Sequence, residues 1–560
     1  MPTTTTARKP LRRFRDHMTH LSYGGMVGAT IMLIASATPS LLPRDWYFQC
    51  LVAGGAAAIG YGVGTFLTWL ARFMVSREQP WPRPQKFWWW ALAFVALWDS
   101  ALMIHWYMKW QNEIRDLMGI KHLDTHWRTV PIVLAVIVLV FLVLLVIGKL
   151  WGRGVVWLIR LLRSFIPARM ATVAGGALAL ALTVLLVNGV LVDGIMRALN
   201  NTFAAANNET KADTVPPTSP LRSGGPQSTV SWDSLGREGR ANVALGPTVA
   251  QLTEFNGAPA MQPIRVYAGL DSAPTIDAIA DNAVRELERT GGLQRKIVAV
   301  GATTGSGWLN KSYIDSLEYM YNGDTALVSM QYSYLPSWIS FLVDKERARQ
   351  AGIQLFEKVS AKVRAIPEAQ RPKLVVFGES LGSFAGEAPF GSIPTISART
   401  DGALFTGPTF NNQLWADTTR NRDEGSPQVL PIFEDGSLVR FIADENDLNR
   451  PDAPWEENHR VAYIQHPSDP ITWWNPTLLF REPEWLKEPR GRDVLPVMHW
   501  IPIVTFLQVS ADMAVAVNVP DGHGHHYLRA IPFAWAKILK PEGWTEQKTL
   551  RLLPRLSTDA

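Results

Sequence analysis

Apolar segments long enough to cross a lipid bilayer fill the first third of this chain. The run from Val130 to Gly148 carries no charged residue, and a helix of ~20 such residues spans the ~30 Å hydrocarbon core of a membrane. Spans of this kind are predicted at residues 23–43, 47–71, 87–108, 130–150 and 171–192. Buried helices of a soluble protein are the alternative, but several segments exceed the usual length of a core helix. We therefore predict an α-helical membrane domain over residues 1–199.

Lysine and arginine concentrate in three stretches outside the predicted spans, which are the N-terminal tail and two connections. Basic residues in short stretches of this kind stay on the cytoplasmic side. The loop at 109–129 is discordant because it also carries basic residues. Five crossings that begin inside place everything after residue 193 outside the cytoplasm, so we expect a multi-pass protein of the cell membrane with an extracytoplasmic C-terminal domain. The basic residues are Arg8, Lys9, Arg12, Arg13 and Arg15 in the N-terminal tail, Arg72, Arg77, Arg83 and Lys86 between the second and third spans, and Lys149, Arg153, Arg160, Arg163 and Arg169 between the fourth and fifth.

Composition excludes several other classes of protein. The chain has 560 residues with a net charge of +5, but the basic residues flank apolar segments instead of forming one patch, so no nucleic-acid partner is expected. Cys50 is the only cysteine. This excludes a disulfide within the chain and a cysteine-based metal site, and it argues against a cysteine nucleophile.

The chain after the membrane domain reads as a linker followed by an α/β domain. Residues 200–229 are polar and rich in Pro and Gly, which is typical of a linker. From residue 230 to 560, short apolar strands alternate with helical stretches, which predicts a mostly parallel sheet. A long polar insertion at 411–458 is predicted to be a lid over the substrate. The predicted strands are 264–268, 296–300, 325–330, 373–377, 402–405 and 461–465, and the predicted helices are 274–289, 342–364 and 381–388.

The pentapeptide Gly378-Glu-Ser-Leu-Gly382 directly follows the apolar run Lys373–Phe377. A strand that turns sharply into a helix needs glycines on both sides of the turn, because side chains there would collide. The residue at the apex is held outward in a strained conformation. We therefore predict that Ser380 is a nucleophile.

A serine nucleophile needs a base to accept its proton and a carboxylate to orient that base. In α/β-hydrolases these groups follow the serine in the order acid, then histidine. The predicted strand 461–465 runs into Asp469, which would lie at the same edge of the sheet as Ser380, so Asp469 is the predicted acid. Rivals with poorer context are Asp444, Asp447, Asp452 and Asp512.

The late segment Asp521-Gly-His-Gly-His-His-Tyr527 offers the base. Its glycines let the backbone bring an imidazole over the edge of the sheet, and His525 is the first choice, with His523 as the alternative. A metal site made by the three histidines is the weaker interpretation, because the carboxylates it would need are better explained by catalysis. We predict no metal and no cofactor.

The oxyanion of an acyl-transfer reaction needs two backbone N–H donors. One is expected from Leu381, which follows the nucleophile. The other is expected from the glycine-rich loop 301–307 after the strand 296–300, at Thr303 or Thr304. A phosphate-binding loop is the alternative, but no Gly-Lys-Ser/Thr follows.

The chain resembles a known group, the actinobacterial membrane-anchored α/β-hydrolase family with an apolar N-terminal domain. The resemblance covers nearly the whole chain and implies a Ser-Asp-His hydrolase fold in an envelope setting, with no settled substrate. One departure is that no convincing last strand separates Asp469 from His525, where only a helix-like stretch over 504–516 occurs. The motifs are Ala37-Thr-Pro-Ser-Leu-Leu-Pro-Arg44, Gln331-Tyr-Ser-Tyr-Leu-Pro-Ser-Trp338, Gly378-Glu-Ser-Leu-Gly-Ser383, Gln465-His-Pro-Ser-Asp-Pro470, Glu488-Pro-Arg-Gly491 and Gly522-His-Gly-His525.

These features together predict a serine esterase, lipase or acyltransferase whose substrate is a lipid or an acylated glycan of the envelope. Two other hypotheses are a non-catalytic envelope scaffold with a degenerate hydrolase domain, and a membrane domain that flips the lipid substrate. Four tryptophans crowd the segment before the histidine and suit either an acyl groove or a plain core. They are Trp473, Trp474, Trp485 and Trp500.

Overall fold

The structure, a computed structural model, describes residues 21–75, 84–123, 129–186, 202–456 and 458–556. The chain divides into two compact units. The first, here called the helical unit, contains residues 1–195, 476–486 and 494–515, and the second, here called the sheet unit, contains residues 196–475, 487–493 and 516–560. This division differs from the continuous domain predicted over 230–560, because two segments between Asp469 and His525 fold with the helical unit.

Five helices make up most of the described part of the helical unit. Four of them, α2 to α5, are long and apolar enough to cross a membrane. Many of their large apolar side chains are exposed in the structure, among them Trp98, Ile147 and Val173, as expected for helices surrounded by lipid. The helices are α1 (Tyr23–Ala35), α2 (Trp46–Val75), α3 (Lys86–Leu117), α4 (Thr129–Leu162) and α5 (Ala168–Leu185).

The first predicted span differs from the structure. Helix α1 has 13 residues, which gives ~20 Å of length against the ~30 Å of a bilayer core. It ends at Ala35, where Thr38 donates a turn hydrogen bond back to the Ala35 carbonyl and Pro39 follows, which cannot continue a helix. Residues 23–43 thus do not form one spanning helix. Of the fifth predicted span, residues 187–192 lie outside the described residues.

Glycines let α1 and α2 pack with their backbones in contact. A Cβ atom on Gly28 would lie 2.2 Å from the carbonyl oxygen of Gly60, and one on Gly64 would lie 2.1 Å from that of Gly24. Gly24 and Gly28 are four residues apart on α1, and Gly60 and Gly64 are four residues apart on α2. Small residues at this spacing are a common device for close helix packing in membranes.

A buried ion pair ties the loop between α1 and α2 to the helix Val504–Asp512, which belongs to the same unit. Arg44 Nε lies 2.9 Å from Asp512 Oδ1, and both side chains are fully buried. The second carboxylate oxygen of Asp512 accepts hydrogen bonds from the Ser40 hydroxyl and the Leu41 amide, and the Arg44 amide donates to Gln111 Oε1 at 2.8 Å. Removing one partner of such a buried pair typically costs ~3–5 kcal/mol.

The sheet unit is built on a seven-stranded sheet in the order β1-β3-β2-β4-β5-β7-β6, in which every neighbouring pair is parallel. The strands are almost fully buried, which explains their mostly apolar sequences. The six predicted strands are confirmed within two residues at each end. The seven are β1 (Ile264–Ala268), β2 (Ile297–Ala302), β3 (Thr325–Met330), β4 (Lys373–Glu379), β5 (Gly402–Thr406), β6 (Val439–Ile442) and β7 (Arg460–Ile464).

Helices cover the sheet and complete its core. Tyr313 and Trp535, from two of these helices, pack on Phe377 of β4. The helices that begin and end within the sheet unit are Gly236–Ala244, Val249–Asn256, Ile276–Arg289, Lys311–Met320, Ser337–Val343, Lys345–Arg364, Leu381–Glu387, Ile393–Arg399, Gln413–Arg420, Pro470–Trp473, Ala530–Leu539 and Glu546–Leu552, and Glu484–Lys487 crosses the boundary between the units.

Two further predictions need correction. The insertion 411–458 is not wholly a lid, because its residues 439–442 form the edge strand β6. Residues 202–229 are not a free linker, because Ser223 and Leu221 pair with Arg265 of β1 through backbone hydrogen bonds and the Arg222 side chain is buried. In the described chain no strand lies between β7 and His525, as the sequence indicates.

Candidate active site

Ser380 occupies the sharp turn between β4 and the helix Leu381–Glu387. Its backbone angles, φ 56° and ψ −123°, fall in a region that non-glycine residues rarely adopt. A Cβ atom on Gly378 would lie 2.2 Å from the carbonyl oxygen of Gly382, and one on Gly382 would lie 2.4 Å from that of Ala302. Both glycines are therefore required for the turn, which confirms the strained conformation predicted at Ser380.

Asp469 and His525 form a hydrogen-bonded pair in which both side chains are buried. Asp469 Oδ2 lies 2.7 Å from His525 Nδ1. The same oxygen accepts from the Tyr527 hydroxyl at 2.6 Å, and the Ile471 amide donates to Asp469 Oδ1 at 2.8 Å. With these donors around it, the Asp469 carboxylate has one well-defined orientation toward the imidazole.

The pair stabilises its own charged forms. Burial would raise the pKa of Asp469, but the charge and hydrogen bond of His525, with the bond from Tyr527, hold that pKa below its ordinary value. Burial would lower the pKa of His525, but Asp469 and, more weakly, Glu379 raise that pKa above its ordinary value. An imidazolium at His525 is thus favoured by two carboxylates.

The imidazole of His525 lies against the strand that is hydrogen-bonded to Ser380. The Ser380 amide donates to the Thr406 carbonyl at 2.9 Å, and a Cβ atom on the next residue, Gly407, would lie 2.3 Å from His525 Cε1. The structure gives no hydrogen bond between the side chains of Ser380 and His525. Within the described chain, His525 Nε2 is buried without any hydrogen-bond partner, so nothing competes for that nitrogen.

The two candidate oxyanion donors after β2 are not equivalent. The Thr304 amide already donates to the Trp308 carbonyl at 3.0 Å. The Thr303 amide makes no such bond within the described residues, and its side chain is fixed by a 2.8 Å bond to the Met330 carbonyl. Gly382, next to Leu381, packs on the backbone of Ala302 and Thr303. Of the two threonines, Thr303 is the better placed to act together with Leu381.

The rival acids have other partners. Asp512 pairs with Arg44 in the helical unit, and Asp447 accepts from backbone amides of its own turn. Asp444 pairs with Arg492, and Asp452 is exposed. Of the five acids considered, Asp469 is the one that contacts a predicted histidine, His525, and it lies in the loop after β7.

The three histidines of the late segment do not converge. His523 Nδ1 lies 3.1 Å from Asp493 Oδ2, and His526 Nδ1 lies 2.9 Å from the Val519 carbonyl. His525 alone of the three contacts Asp469. No group of three or more metal-binding side chains occurs anywhere in the described part of the chain.

Several residues of the site were not predicted from the sequence. Tyr527 bonds Asp469, and Asn310 Nδ2 donates both to Glu379 Oε2 and to the Tyr527 carbonyl, each at 2.8 Å. Burial raises the pKa of Glu379, which lies beside the nucleophile in sequence. Only the position of Glu379 within the pentapeptide could have drawn attention to it.

Three of the four tryptophans are core residues. Trp473, Trp474 and Trp485 are at most 9% exposed, and Trp473 Nε1 donates to the His466 carbonyl at 3.0 Å. Burial of this kind favours the plain core interpretation for these three. Trp500 is partly exposed.

Two sequence models of known families match this chain. The model described as "Alpha/beta-hydrolase family" matches residues 264–552, and the model described as "Alpha/beta-hydrolase family N-terminus" matches residues 37–247. No curated protein and no solved structure matches the chain. The first match contains Ser380, Asp469 and His525, and the second contains helices α2 to α5.

The raised pKa of His525 leads to a pH-dependent prediction. A base must be neutral to accept a proton, so the acid limb of kcat/KM should lie above the pKa of a free histidine side chain. Asp469→Asn removes the carboxylate that raises this pKa, so the limb should move to lower pH while the plateau falls by ~10³-fold or more. Hydrolysis of a p-nitrophenyl ester between pH 5 and 9 measures both.

Asp324→Asn is the matched control. Asp324 accepts a hydrogen bond from the Lys296 amide at the amino ends of β2 and β3, and the candidate site lies at the carboxyl ends of the strands. This variant should leave the profile unchanged. An acid limb that stays in place in Asp469→Asn would contradict the assignment of Asp469 to His525.

Proposed function

The chain belongs to the alpha/beta-hydrolase family, and we propose that it is a membrane-anchored serine hydrolase or acyltransferase that acts on acyl esters. The observation that carries this proposal is the buried 2.7 Å contact between Asp469 and His525, beside a serine held at a strained strand-to-helix turn. These are the groups that a covalent acyl-enzyme mechanism needs.

In the proposed mechanism, Ser380 Oγ attacks the ester carbonyl while its proton passes to His525 Nε2. The Leu381 and Thr303 amides donate to the oxyanion that forms. The carbonyl then re-forms as the bond between its carbon and the leaving alcohol breaks, and His525 gives its proton to that alcohol. The acyl group remains bonded to Ser380 Oγ as an ester. A water molecule or a second hydroxyl group attacks this acyl-enzyme with the help of His525, which gives a free acid or a transferred acyl group.

Asp469 has two functions in these steps. Its contact with Nδ1 leaves Nε2 of His525 as the nitrogen that can accept the serine proton, and its charge stabilises the imidazolium that forms after each proton transfer. Tyr527 keeps the carboxylate oriented for both. A neutral residue at position 469 would lose the electrostatic part of this contribution.

We propose lipids or acylated glycans of the cell envelope as substrates. Four helices are long and apolar enough to cross a membrane, so they would hold the chain at a bilayer, at whose surface the ester groups of such substrates lie. Their acyl chains are the part of the substrate that becomes bound to Ser380.

We propose that the sheet unit is extracytoplasmic. The connection between α2 and α3 and the connection between α4 and α5 are rich in lysine and arginine, which favours the cytoplasm for both. Between 202 and 556, the described chain has no helix that is both long and apolar enough to cross a membrane. The side of the sheet unit therefore follows from α2 to α5 and does not depend on α1.

The nucleophile can be tested in native membranes with a fluorophosphonate probe, which phosphonylates activated serines. Wild-type protein should be labelled, and Ser380→Ala should lose both labelling and ester hydrolysis, by ~10³-fold or more. Ser360→Ala is the control. Ser360 is a buried serine in a helix, so this variant should keep full labelling. Equal labelling of Ser380→Ala, or an unlabelled wild type, would support the non-catalytic scaffold instead.

The topology can be tested by cysteine accessibility, because Cys50 is the only cysteine and Cys50→Ser gives a clean background. Glu368→Cys, on the exposed surface of the sheet unit, should react with a membrane-impermeant maleimide in intact cells. Ser164→Cys, between α4 and α5, should react only after permeabilisation. The reverse pattern would place the sheet unit in the cytoplasm.

A further inference from the structure

A second set of hydrogen bonds joins the loop after β7 to the loop that carries His525. Ser468 Oγ donates to Asp493 Oδ2 at 2.5 Å and accepts from the Gly524 amide at 2.8 Å. His523 Nδ1 lies 3.1 Å from the same oxygen of Asp493. One carboxylate oxygen thus holds a side chain from each loop.

Two members of this set are direct sequence neighbours of the proposed catalytic pair. Ser468 directly precedes Asp469, and Gly524 directly precedes His525. The Gly524 carbonyl is also fixed, because His466 Nδ1 lies 2.9 Å from it. Both polar backbone groups of Gly524 are therefore bonded to the loop that carries Asp469. A shift of either loop would change the 2.7 Å contact between Asp469 and His525.

The position of Asp493 makes it the common anchor of the two loops. It lies on residues 487–493, the short stretch of the sheet unit between two segments of the helical unit. Its side chain is 2% exposed, and a carboxylate in such a place is retained only with donors around it. Its only donors in the described chain are Ser468 and His523, one from each loop. An alanine at position 493 would leave both loops without this anchor.

We propose that Asp493 is a positioning residue for the Asp469–His525 pair, acting through Ser468 and His523. This inference rests on the proposed hydrolase function. Asp493 touches neither the substrate nor the reacting atoms in this account. It fixes the distance between two loops whose next residues carry out the proton transfer, and a displacement of ~1 Å at such a pair can cost ~10²-fold in rate.

The test compares Asp493→Ala with Asp493→Asn in the purified full chain, with a p-nitrophenyl acyl ester as the probe. Asp493→Ala should lower kcat by ~10–100-fold and leave KM within about two-fold, because positioning affects the chemical step. Asp493→Asn keeps an acceptor oxygen for Ser468 and should recover kcat to within about five-fold of wild type. A loss in KM alone, or equal kcat values for wild type and Asp493→Ala, would overturn the proposal.

A double-mutant cycle tests the route through Ser468. If Asp493 acts through this hydroxyl, Ser468→Ala combined with Asp493→Ala should lower kcat little more than Asp493→Ala alone. Fully multiplicative losses would contradict the route. His523→Ala should cost less than ~10-fold, and a loss as large as that of His525→Ala would make His523 a catalytic residue and overturn the proposal.

Glu286→Ala is the matched control for loss of a buried carboxylate. Glu286 is fully buried and accepts from the Thr229 amide and the Ser223 hydroxyl beside β1. Its removal should lower the Tm about as much as Asp493→Ala does, with kcat within about two-fold of wild type. A comparable loss of kcat in Glu286→Ala would show that general destabilisation explains the effect of Asp493→Ala.

Hydrogen–deuterium exchange separates failure of this proposal from failure of the proposed function. Peptides that cover residues 520–527 should exchange at least several-fold faster in Asp493→Ala than in wild type, and this result does not require activity. Unchanged exchange would overturn the positioning role even in an inactive protein. An active, Ser380-dependent wild type with normal kcat in Asp493→Ala would overturn the positioning role alone.

Discussion

The close approach of Gly378, Gly382 and the carbonyl of Ala302 is the constraint on which the rest of the site depends. A Cβ atom at either glycine would collide with backbone. In this turn from β4 into its helix, the middle residue of the pentapeptide has a positive φ. That residue is Ser380. The same packing brings the start of the helix beside the end of β2. Nucleophile and candidate oxyanion donors are therefore placed by one backbone arrangement, which a substitution at Gly382 would remove as a whole.

Local sequence was sufficient for most of the sheet unit. Strands buried on both faces are mostly apolar, and β1 to β5 and β7 each keep at least four apolar or small residues. The elbow could be predicted because the physical requirement for glycine lies within five residues. Asp469 followed from its place after β7, and His525 from its glycines. The exception is β6, a four-residue edge strand in which Arg440 leaves only three apolar residues, whereas β1 keeps four around Arg265. The guanidinium of Arg440 is buried and bonds the Leu448 carbonyl.

Features that depend on partners far apart in sequence could not be predicted. Nothing near Asp512 indicates that it pairs with Arg44, so the assignment of residues 494–515 to the helical unit was missed. Pro and Gly around residue 222 correctly predict irregular backbone, but not that it pairs with Arg265 of β1. The length of α1 depends on a turn at Ala35 that apolar composition does not reveal. Tyr527 and Asp493 have no local signal, since their importance comes only from contacts made in the folded chain.

The most direct test of this account is a structure of the full chain after reaction with a fluorophosphonate. The phosphorus should be bonded to Ser380 Oγ, with the phosphonyl oxygen ~2.7–3.1 Å from the amide nitrogens of Leu381 and Thr303, and with His525 still in contact with Asp469. An adduct on another residue, or a phosphonyl oxygen that points away from both amides, would contradict the arrangement of nucleophile and oxyanion donors argued above.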